Sequence, residues 1–300
     1  MLNSDGRLLL SKSQQLPGVV VSEGERVESN STAVITGAAS GIGQALAIAL
    51  AGRGVALAIS DVDEAGLDET ARRCKDHGVD VRTDRVDVAH RATMLAYADD
   101  LVDESRRIRF VFNNAGVALA GEAVEHSFED VDWLLGVNLG GVINGTQAFL
   151  PALIASGDGH LVNISSIFGI IAMPAHSAYN ASKFAVRGYT EAVGMELAIA
   201  RKPVRVHCVH PGGIRTNIAN NARTSPSQDH GTLMRLFNDR LARTTPDQAA
   251  EVILRGVARG KRRILVGADA HALHAMEQLI GSRYQTLVAT VAGRVLKGSA

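Results

Sequence analysis

A tyrosine and a lysine four residues apart carry the clearest chemical signal in this sequence. Tyr179 and Lys183 lie in a segment with helical spacing, so their side chains share one face of a helix. A phenol normally keeps its proton up to a pH of about 10, but a neighbouring ammonium group stabilises the phenolate and lowers that pKa. A phenol tuned in this way can act as a general base. Such a pair can also be simple surface packing, so its context must decide.

Two further polar positions could complete a reaction centre. Ser165 and Ser166 close a predicted strand, at the carboxyl edge where sheets of this kind bind ligands. The Ser166 hydroxyl could hold a substrate oxygen beside the phenol. Asn138 lies within a predicted helix, where asparagine is a mediocre helix former. It is either a solvated or capping amide, or a buried polar group that binds a water and links Lys183 to solvent.

A glycine-rich turn near residue 40 could bind phosphates. Gly37, Gly41 and Gly43 follow the pattern Gly-x-x-x-Gly-x-Gly between a predicted strand and a predicted helix. Glycine permits positive φ and removes the Cβ that would block a pyrophosphate. The helix N-terminus offers free N–H groups and the positive end of its dipole. The turn therefore indicates a dinucleotide site, although a glycine-rich turn by itself is often only a turn.

An acidic residue at the end of the second predicted strand bears on which dinucleotide binds. Asp61 could accept hydrogen bonds from the ribose hydroxyls and would repel a 2′-phosphate. Asp63 can cap the next helix, which leaves Asp61 free for the ribose. Ser40 and Val62 offer a 2′-phosphate no cation. The sequence therefore favours NAD over NADP.

The elements that must position these residues alternate along the chain. The apolar patterns predict strands over residues 32–36, 55–60, 79–85, 108–113, 160–165, 204–210 and 263–266. They predict helices over residues 42–53, 63–77, 91–106, 129–156, 175–200 and 246–259, and again from residue 270. Strands separated by helices imply parallel pairing with right-handed crossovers. We therefore predict a single α/β domain with a doubly wound parallel sheet of about seven strands.

The two ends of the chain differ from this pattern. Residues 1–30 are predicted to be a flexible extension, and residues 31–300 the folded domain, with a substrate loop at about 216–242 and a helical tail at about 270–300. Apolar residues recur in the tail at helical spacing, which predicts core or subunit contact, with a membrane-surface helix as the alternative. They are Ile280, Tyr284, Leu287, Val288, Val291 and Val295.

Composition argues against several other classes of protein. The formal net charge is +0, so the basic surface typical of a nucleic-acid binder is missing. No apolar run approaches the roughly 20 residues that a membrane span needs. Cys74 and Cys208 cannot build a disulfide framework and have no metal-ligand spacing around them. A reducing, cytoplasmic location is expected.

In their order along the chain, these motifs resemble the single-domain branch of the short-chain dehydrogenase/reductase family over about residues 31–270. The resemblance implies a Rossmann-type fold and a catalytic tetrad of Asn138, Ser166, Tyr179 and Lys183. Asp87-Val88 matches the adenine-pocket pair, and Asn113–Gly116 the motif that stabilises the sheet and lines the adenosine side. Residues 211–216 match the segment that cradles the nicotinamide carboxamide. The implied cofactor contacts are Gly37, Ser40, Gly41, Ile42, Gly43, Asp61, Asp87, Val88, Asn114, Ala115, Gly116, Ile164, Tyr179, Lys183, Pro211, Gly212, Ile214 and Thr216.

The resemblance also implies an activity. Hydride would move between NAD and the CH–OH or C=O group of a secondary alcohol or ketone, with Tyr179 as the base and no metal. Lys183 would bond the nicotinamide ribose and depress the pKa of Tyr179. Ser166 would steady the developing carbonyl, and Asn138 would support a water relay. A homodimer or homotetramer paired through the helices at 129–156 and 175–200 is expected.

The identity of the substrate stays open at this point. Some of the residues between Ser166 and Tyr179 must border the pocket and are mostly apolar, which favours a moderately apolar alcohol or ketone. These residues are Phe168, Ile170, Ile171, Met173 and His176. A steroid, a fatty or terpenoid alcohol and a small diol all fit, and His176 is interpreted as a wall residue rather than an extra base.

Two other functions share parts of this pattern. A nucleotide-sensing or scaffold protein could use the fold without catalysis, but such proteins typically lack the tyrosine or the lysine. A sugar-nucleotide epimerase shares Tyr-x-x-x-Lys, but the glycine spacing and the Asn-Asn-Ala-Gly motif argue against it.

Overall fold

The computed structural model describes residues 31–104, 106–218, 221–225 and 243–297. The predicted extension at 1–30 and most of the predicted loop at 216–242 lie outside these residues. Within the described part of the chain, no helix combines the length and the apolar character needed to cross a membrane.

A seven-stranded parallel sheet forms the centre of the fold, in the order β3-β2-β1-β4-β6-β7-β9. Its strands are β1 (Thr32–Thr36), β2 (Ala56–Asp61), β3 (Val81–Arg85), β4 (Ile108–Asn113), β6 (Gly159–Ile164), β7 (Val204–Pro211) and β9 (Arg263–Val266). Two short strands, β5 (Leu119–Ala120) and β8 (Arg223–Thr224), pair separately. The predicted doubly wound parallel sheet is confirmed.

Helices cover both faces of this sheet. They are α1 (Gly41–Ala51), α2 (Glu64–Lys75), α3 (Arg91–Asp103), α4 (Phe128–Leu135), α5 (Gly141–Ala155), α6 (Ser177–Ile199), α7 (Pro246–Ala258), α8 (Ala268–Ile280) and α9 (Tyr284–Lys297). Local sequence signals begin several of them. Asp63 caps α2, as predicted, and Thr245 forms a capping box with Gln248 at the start of α7.

Two hydrophobic cores lie on opposite faces of the sheet. Ala33 and Ile35 of β1 point into one core, while Val34 between them points into the other. Every residue of β1 and β4 is buried. A strand buried on both faces has a continuous apolar run instead of an alternating one, which is why these strands are clear in the sequence.

The predicted helix over residues 129–156 differs from the structure. A π-helical turn over Gly136–Gly140 separates α4 from α5, and Asn138 lies in that turn. A π turn widens the helix by one residue, which the 3.6-residue periodicity does not reveal, and such turns are frequent at functional sites. The predicted tail helix is likewise two helices, α8 and α9, joined by a short turn at Gly281–Arg283.

Candidate active site

The carboxyl ends of the central strands bring the predicted site residues to one edge of the sheet. Gly37 follows β1, Asn114 follows β4, Ser166 lies just beyond β6, and Gly212 follows β7. The strand order changes direction between β1 and β4. Open α/β sheets bind ligands in the crevice at such a point.

The glycine turn after β1 is packed so closely that larger residues do not fit. Gly37 has a φ of +67°, and a Cβ there would lie 2.7 Å from the Cα of Ala115. A Cβ on Gly43 would lie 2.5 Å from the Asn114 amide nitrogen and would overlap the carbonyl oxygen of Gly37. Asn114 holds this carbonyl in place by donating to the main-chain oxygens of Thr36 and Gly37, each at 3.0 Å. Asn114 of the Asn113–Gly116 motif therefore fixes the shape of the glycine turn.

The first turn of α1 is open toward this crevice. Ser40 is the N-cap residue in an extended conformation, and its side chain caps no backbone N–H. Gly41 has a φ of +57°, and a Cβ there would lie 3.0 Å from the methyl group of Thr216. Ile42 packs against the core beneath the turn. These residues fit a bound pyrophosphate. The Ser40 side chain does not cap the N–H groups at the start of the helix, and the glycines leave the backbone without side chains there.

Asp61 links the glycine turn to the loop after β2. Its carboxylate accepts hydrogen bonds from the main-chain N–H of Ala39 at 2.9 Å, of Val62 at 2.7 Å and of Asp63 at 3.1 Å. These bonds hold the carboxylate at the crevice. Its structural role is one that sequence reasoning missed.

The predicted adenine-pocket residues are held by backbone contacts. Asp87 accepts from the N–H of Ala89 at 2.9 Å, and the carbonyl of Val88 accepts from the Asn144 side chain at 2.9 Å. A Cβ on Gly141 would lie 2.5 Å from a Val88 methyl group. The loop after β3 is thus fixed against α5.

Lys183 and Asn138 both lie beside Gly116, in the segment that follows β4. Lys183 is only 3 % exposed, and its Nζ donates to the carbonyl oxygen of Ile164 at 3.2 Å. The same Nζ lies 5.6 Å from the centre of the Tyr179 ring. A Cβ on Gly116 would lie 3.2 Å from Asn138 Oδ1 and 3.4 Å from Lys183 Nζ. Gly116 therefore lies against both groups, and a side chain there would press on each of them.

Asn138 is fully buried, so it is neither a solvated nor a capping amide. Its Oδ1 accepts from the N–H of Val117 at 2.8 Å, and its Nδ2 donates to the carbonyl of Val117 at 3.0 Å. Nδ2 also lies 3.2 Å from the Ser182 hydroxyl, which donates to the carbonyl of Tyr179 at 2.8 Å. The amide thus joins the π turn, the segment after β4 and the helix that carries Tyr179 and Lys183.

Burial dominates the electrostatics of the tyrosine and lysine. It raises the pKa of Tyr179 to about 12, while a hydrogen bond with Ser166 acts in the opposite direction. Burial also lowers the pKa of Lys183 to about 8. Among the groups around Tyr179, Ser166 is the one that lowers the phenol pKa in this structure. The expectation that Lys183 also lowers it stays a prediction.

Ser166 is held in position through both its side chain and its carbonyl group. Its Oγ accepts from the N–H of Phe168 at 3.1 Å, and its carbonyl oxygen accepts from Nδ1 of the buried His210 at 2.8 Å. Burial lowers the pKa of His210 to about 4, so this imidazole is neutral near pH 7. The predicted wall residue His176 packs edge-on against Phe168, with 5.6 Å between ring centres.

The segment after β7 closes the far side of the crevice. The N–H of Gly212 donates to the carbonyl of Val266 at 2.9 Å, and that of Gly213 to the Asp269 carboxylate at 2.6 Å. Ile214 is buried, and the N–H of Thr216 donates to its carbonyl at 2.8 Å. Pro211 is the last residue of β7 and is also buried. The segment after β7 thus starts at the same edge of the sheet as the glycine turn, and Thr216 lies against Gly41 of that turn.

Several residues that hold this site were not identified from the sequence. They are Ser182, His210 and Asp269. Ser182 had a usable signal, since it is a polar residue adjoining Lys183 on the buried part of a helix. The others contact partners distant in sequence, and no spacing rule identifies such pairs.

Comparison with known proteins agrees with this architecture. A family model described as short chain dehydrogenase matches residues 31–227. SadH of Mycobacterium tuberculosis (strain ATCC 25618 / H37Rv), named as an oxidoreductase, is 51% identical over 257 residues, which span 86% of this chain and 93% of SadH.

Two solved structures share the fold. A short chain dehydrogenase/reductase from Burkholderia phymatum, in complex with NAD, matches with a TM-score of 0.78 and 30% identity over 86% of this chain and 95% of that one. A short-chain dehydrogenase from Sphingobium yanoikuyae, in complex with NADPH, matches with a TM-score of 0.68 and 29% identity over 82% and 93% of the two chains. The family match, the identity to SadH and the shared sheet agree, and this chain belongs to the short-chain dehydrogenase/reductase family of oxidoreductases, which bind a nicotinamide cofactor.

Proposed function

We propose that this protein is an NAD-dependent oxidoreductase that interconverts a secondary alcohol and a ketone. The observation that carries the proposal is that Lys183 and Asn138 both lie against Gly116, while the Nζ of the buried Lys183 lies 5.6 Å from the centre of the Tyr179 ring. A scaffold protein without catalysis would have no need to bury a lysine whose ammonium is costly to desolvate.

The four residues of the tetrad have distinct roles in this proposal. Tyr179 takes the proton from the substrate hydroxyl during oxidation, and the Ser166 hydroxyl holds the substrate oxygen beside it. Lys183 bonds the ribose of the cofactor. Asn138 supports the relay that returns the proton from Tyr179 to solvent. The nicotinamide ring, when bound, supplies the hydride acceptor or donor.

Asp61 supports the preference for NAD over NADP. Its carboxylate is held at the crevice by three backbone N–H groups and would repel a 2′-phosphate. Arg85 lies beside Asp61 in the sheet register, but its guanidinium is paired with Glu64 at 3.2 Å. A cation already engaged by a carboxylate is a poorer partner for a phosphate.

The surroundings of Tyr179 favour a moderately apolar substrate. Phe168 meets the Tyr179 ring edge-on, with 6.2 Å between ring centres, and Ile170, Ile171 and Met173 lie in or against one apolar cluster. The cluster leaves the exact alcohol or ketone open.

Assembly and location are further parts of the proposal. Phe184, Met195 and Ile199 are exposed along one face of α6, which supports a homodimer or homotetramer formed through this helix. Cys74 and Cys208 are free and buried, in keeping with a cytoplasmic location.

Substitution of the proposed base tests the function. Tyr179→Phe should lower turnover by at least about 10²-fold, the usual contribution of a general base, while NADH still binds. Tyr189→Phe, on the same helix, serves as the matched control and should keep wild-type turnover. The measurement is NAD reduction across a diverse alcohol library. A Tyr179→Phe enzyme that keeps more than about a tenth of the wild-type rate contradicts the base assignment, and a higher kcat/KM with NADP than with NAD contradicts the interpretation of Asp61.

A further inference from the structure

The chain between Ser166 and Tyr179 forms the wall beside the proposed base, and its first attachment is to α6. Asn180, the neighbour of Tyr179, donates to the carbonyl of Met173 at 2.8 Å and lies 3.3 Å from the N–H of the same residue. Asn180 is buried. This amide fixes one point of the wall relative to the helix that carries the base.

The second attachment comes from the C-terminal helix α9, far away in sequence. The N–H of Ala172 donates to the hydroxyl oxygen of Tyr284 at 2.8 Å. Tyr284 is only 7 % exposed although α9 lies at the surface, whereas Leu287 and Val291 on the same helix are half exposed. The apolar stripe predicted for the tail therefore divides: among its members at residues 280–291, Tyr284 is buried and Val288 is half-buried, while the others are exposed.

An apolar cluster continues the contact around this hydrogen bond. It joins wall residues to residues of the two terminal helices, while Phe168 of the wall also meets Tyr179 edge-on. The buried members are Ile167, Ile170, Ile171, Ala270 and Tyr284, and Leu273, Met276 and Val288 pack against them. A continuous set of packed side chains thus connects α9 to the ring of the proposed base.

We propose that Tyr284 is a positioning residue that holds the 167–173 wall in place beside the proposed base. This inference rests on the proposed function for its effect on turnover. Ala172 is exposed, so without the phenol its N–H would bond to water and the wall would lose its second fixed point. Tyr284 touches neither the glycine turn nor Asp61 in the contacts described, so cofactor binding does not depend on it.

The consequence is selective for substrate. A bulky apolar alcohol or ketone needs the wall, whereas a small one is held mainly by Ser166 and Tyr179. Loss of the Tyr284 hydroxyl should therefore raise the KM of a bulky substrate more than that of a small one. A merely stabilising residue would not separate these two constants.

The test compares Tyr284→Phe with Tyr97→Phe in the full chain. Tyr97 is an equally buried tyrosine that packs edge-on against Phe149 in the other core, so it controls for a lost buried hydroxyl. Tyr284→Phe should raise the KM for a bulky apolar alcohol about three- to tenfold, the range expected for one hydrogen bond. The KM for a small alcohol and the KM for NAD should each change less than about twofold. Tyr97→Phe should leave all three KM values at their wild-type levels.

Hydrogen–deuterium exchange gives a second readout that needs no activity. In Tyr284→Phe, amides of the peptide spanning residues 170–176 should exchange at least about tenfold faster, because the N–H of Ala172 loses its acceptor; in Tyr97→Phe they should not. Unchanged exchange in Tyr284→Phe overturns the proposal, as does an unchanged substrate KM in an active enzyme. If the wild-type protein turns over no alcohol or ketone, the proposed function fails, and the exchange result alone then upholds or overturns the role of Tyr284.

Discussion

Replacing Gly43 by alanine adds one methyl group at the tightest point of the cofactor turn. The new Cβ would lie 2.5 Å from the Asn114 amide nitrogen and would overlap the carbonyl oxygen of Gly37. An ordinary carbon contact needs about 3.5 Å, so the surrounding atoms must move by about 1 Å. Both neighbours belong to one hydrogen bond, from Asn114 to Gly37, which would be strained or lost.

The size of the effect follows from three contributions. Overpacking of this kind costs about 1–3 kcal/mol, and the loss of one hydrogen bond costs about 1 kcal/mol. Alanine recovers up to about 1 kcal/mol through its better helix propensity. The free energy of unfolding should therefore fall by about 1–3 kcal/mol. A misplacement of about 1 Å in a positioning element can lower the rate of an enzyme about 10²-fold. The kcat/KM for NAD should therefore fall about 10²-fold as well.

Gly52 provides a matched control at the other end of the same helix. Its φ is −61°, and a Cβ there would meet nothing closer than 3.6 Å. Gly52→Ala should therefore raise the free energy of unfolding by about 0.4–1 kcal/mol, because alanine restricts the unfolded chain. The same chemical change is thus expected to have opposite signs at the two ends of α1.

Urea denaturation and fluorescence titration with NADH measure both effects. The reasoning is refuted if Gly43→Ala matches Gly52→Ala in stability and binds NADH with wild-type affinity. That result would mean that the turn relaxes freely and that the close contact with Asn114 does not shape the site.

Two further predictions concern buried titratable groups. Lys183→Met should abolish turnover yet leave the melting temperature at pH 7 unchanged or higher, because burial lowers the pKa of Lys183 to about 8 and makes its charge costly. Between pH 8 and 10.5 the unfolded wild-type chain binds more protons at Lys183 than the folded chain does. Wild-type stability should therefore rise with pH over this range, and the difference in melting temperature between Lys183→Met and the wild type should shrink. A difference that stays constant with pH argues against a buried charge. Burial also lowers the pKa of His207 and of His210 to about 4, so wild-type stability should be lost as the pH falls from about 6.5 to about 4, where only the unfolded state takes up protons. His210→Asn keeps a donor for the Ser166 carbonyl. Denaturation at pH 7 and at pH 5 should show that this variant takes up one proton fewer on unfolding than the wild type does. An unaltered pH dependence of stability would rule out His210 as a contributor.

The fold could be predicted because its signals are local. Strands such as β1 and β4 are mainly apolar runs, since helices cover both faces of the sheet, and the helices have a period near 3.6 residues. The π turn at Gly136–Gly140 and the two-residue strands β5 and β8 were missed for the opposite reason. One inserted residue hardly changes a period, and a strand of two residues has no period to detect.

The motif residues of the candidate site could also be predicted, but their electrostatics could not. The spacing of Tyr179 and Lys183 places them on one helix face, and the order of the motifs indicated which residues share a crevice. The prediction that Lys183 lowers the phenol pKa did not allow for burial, which in the structure raises the pKa of Tyr179 to about 12. Burial depends on everything packed around a group, so spacing alone does not give it.

The sequence by itself determined the parallel sheet, the glycine turn and the four-residue spacing of Tyr179 and Lys183 on one helix, because periodicity and short spacings within one segment encode them. Only the tertiary structure decided three hydrogen bonds: between Asn138 and the main chain of Val117, between His210 and the carbonyl of Ser166, and between Tyr284 of the last helix and the N–H of Ala172. Each of these contacts joins segments that lie apart in the chain. Their partners become known only once packing has brought the strand ends and the terminal helices to the same edge of the sheet.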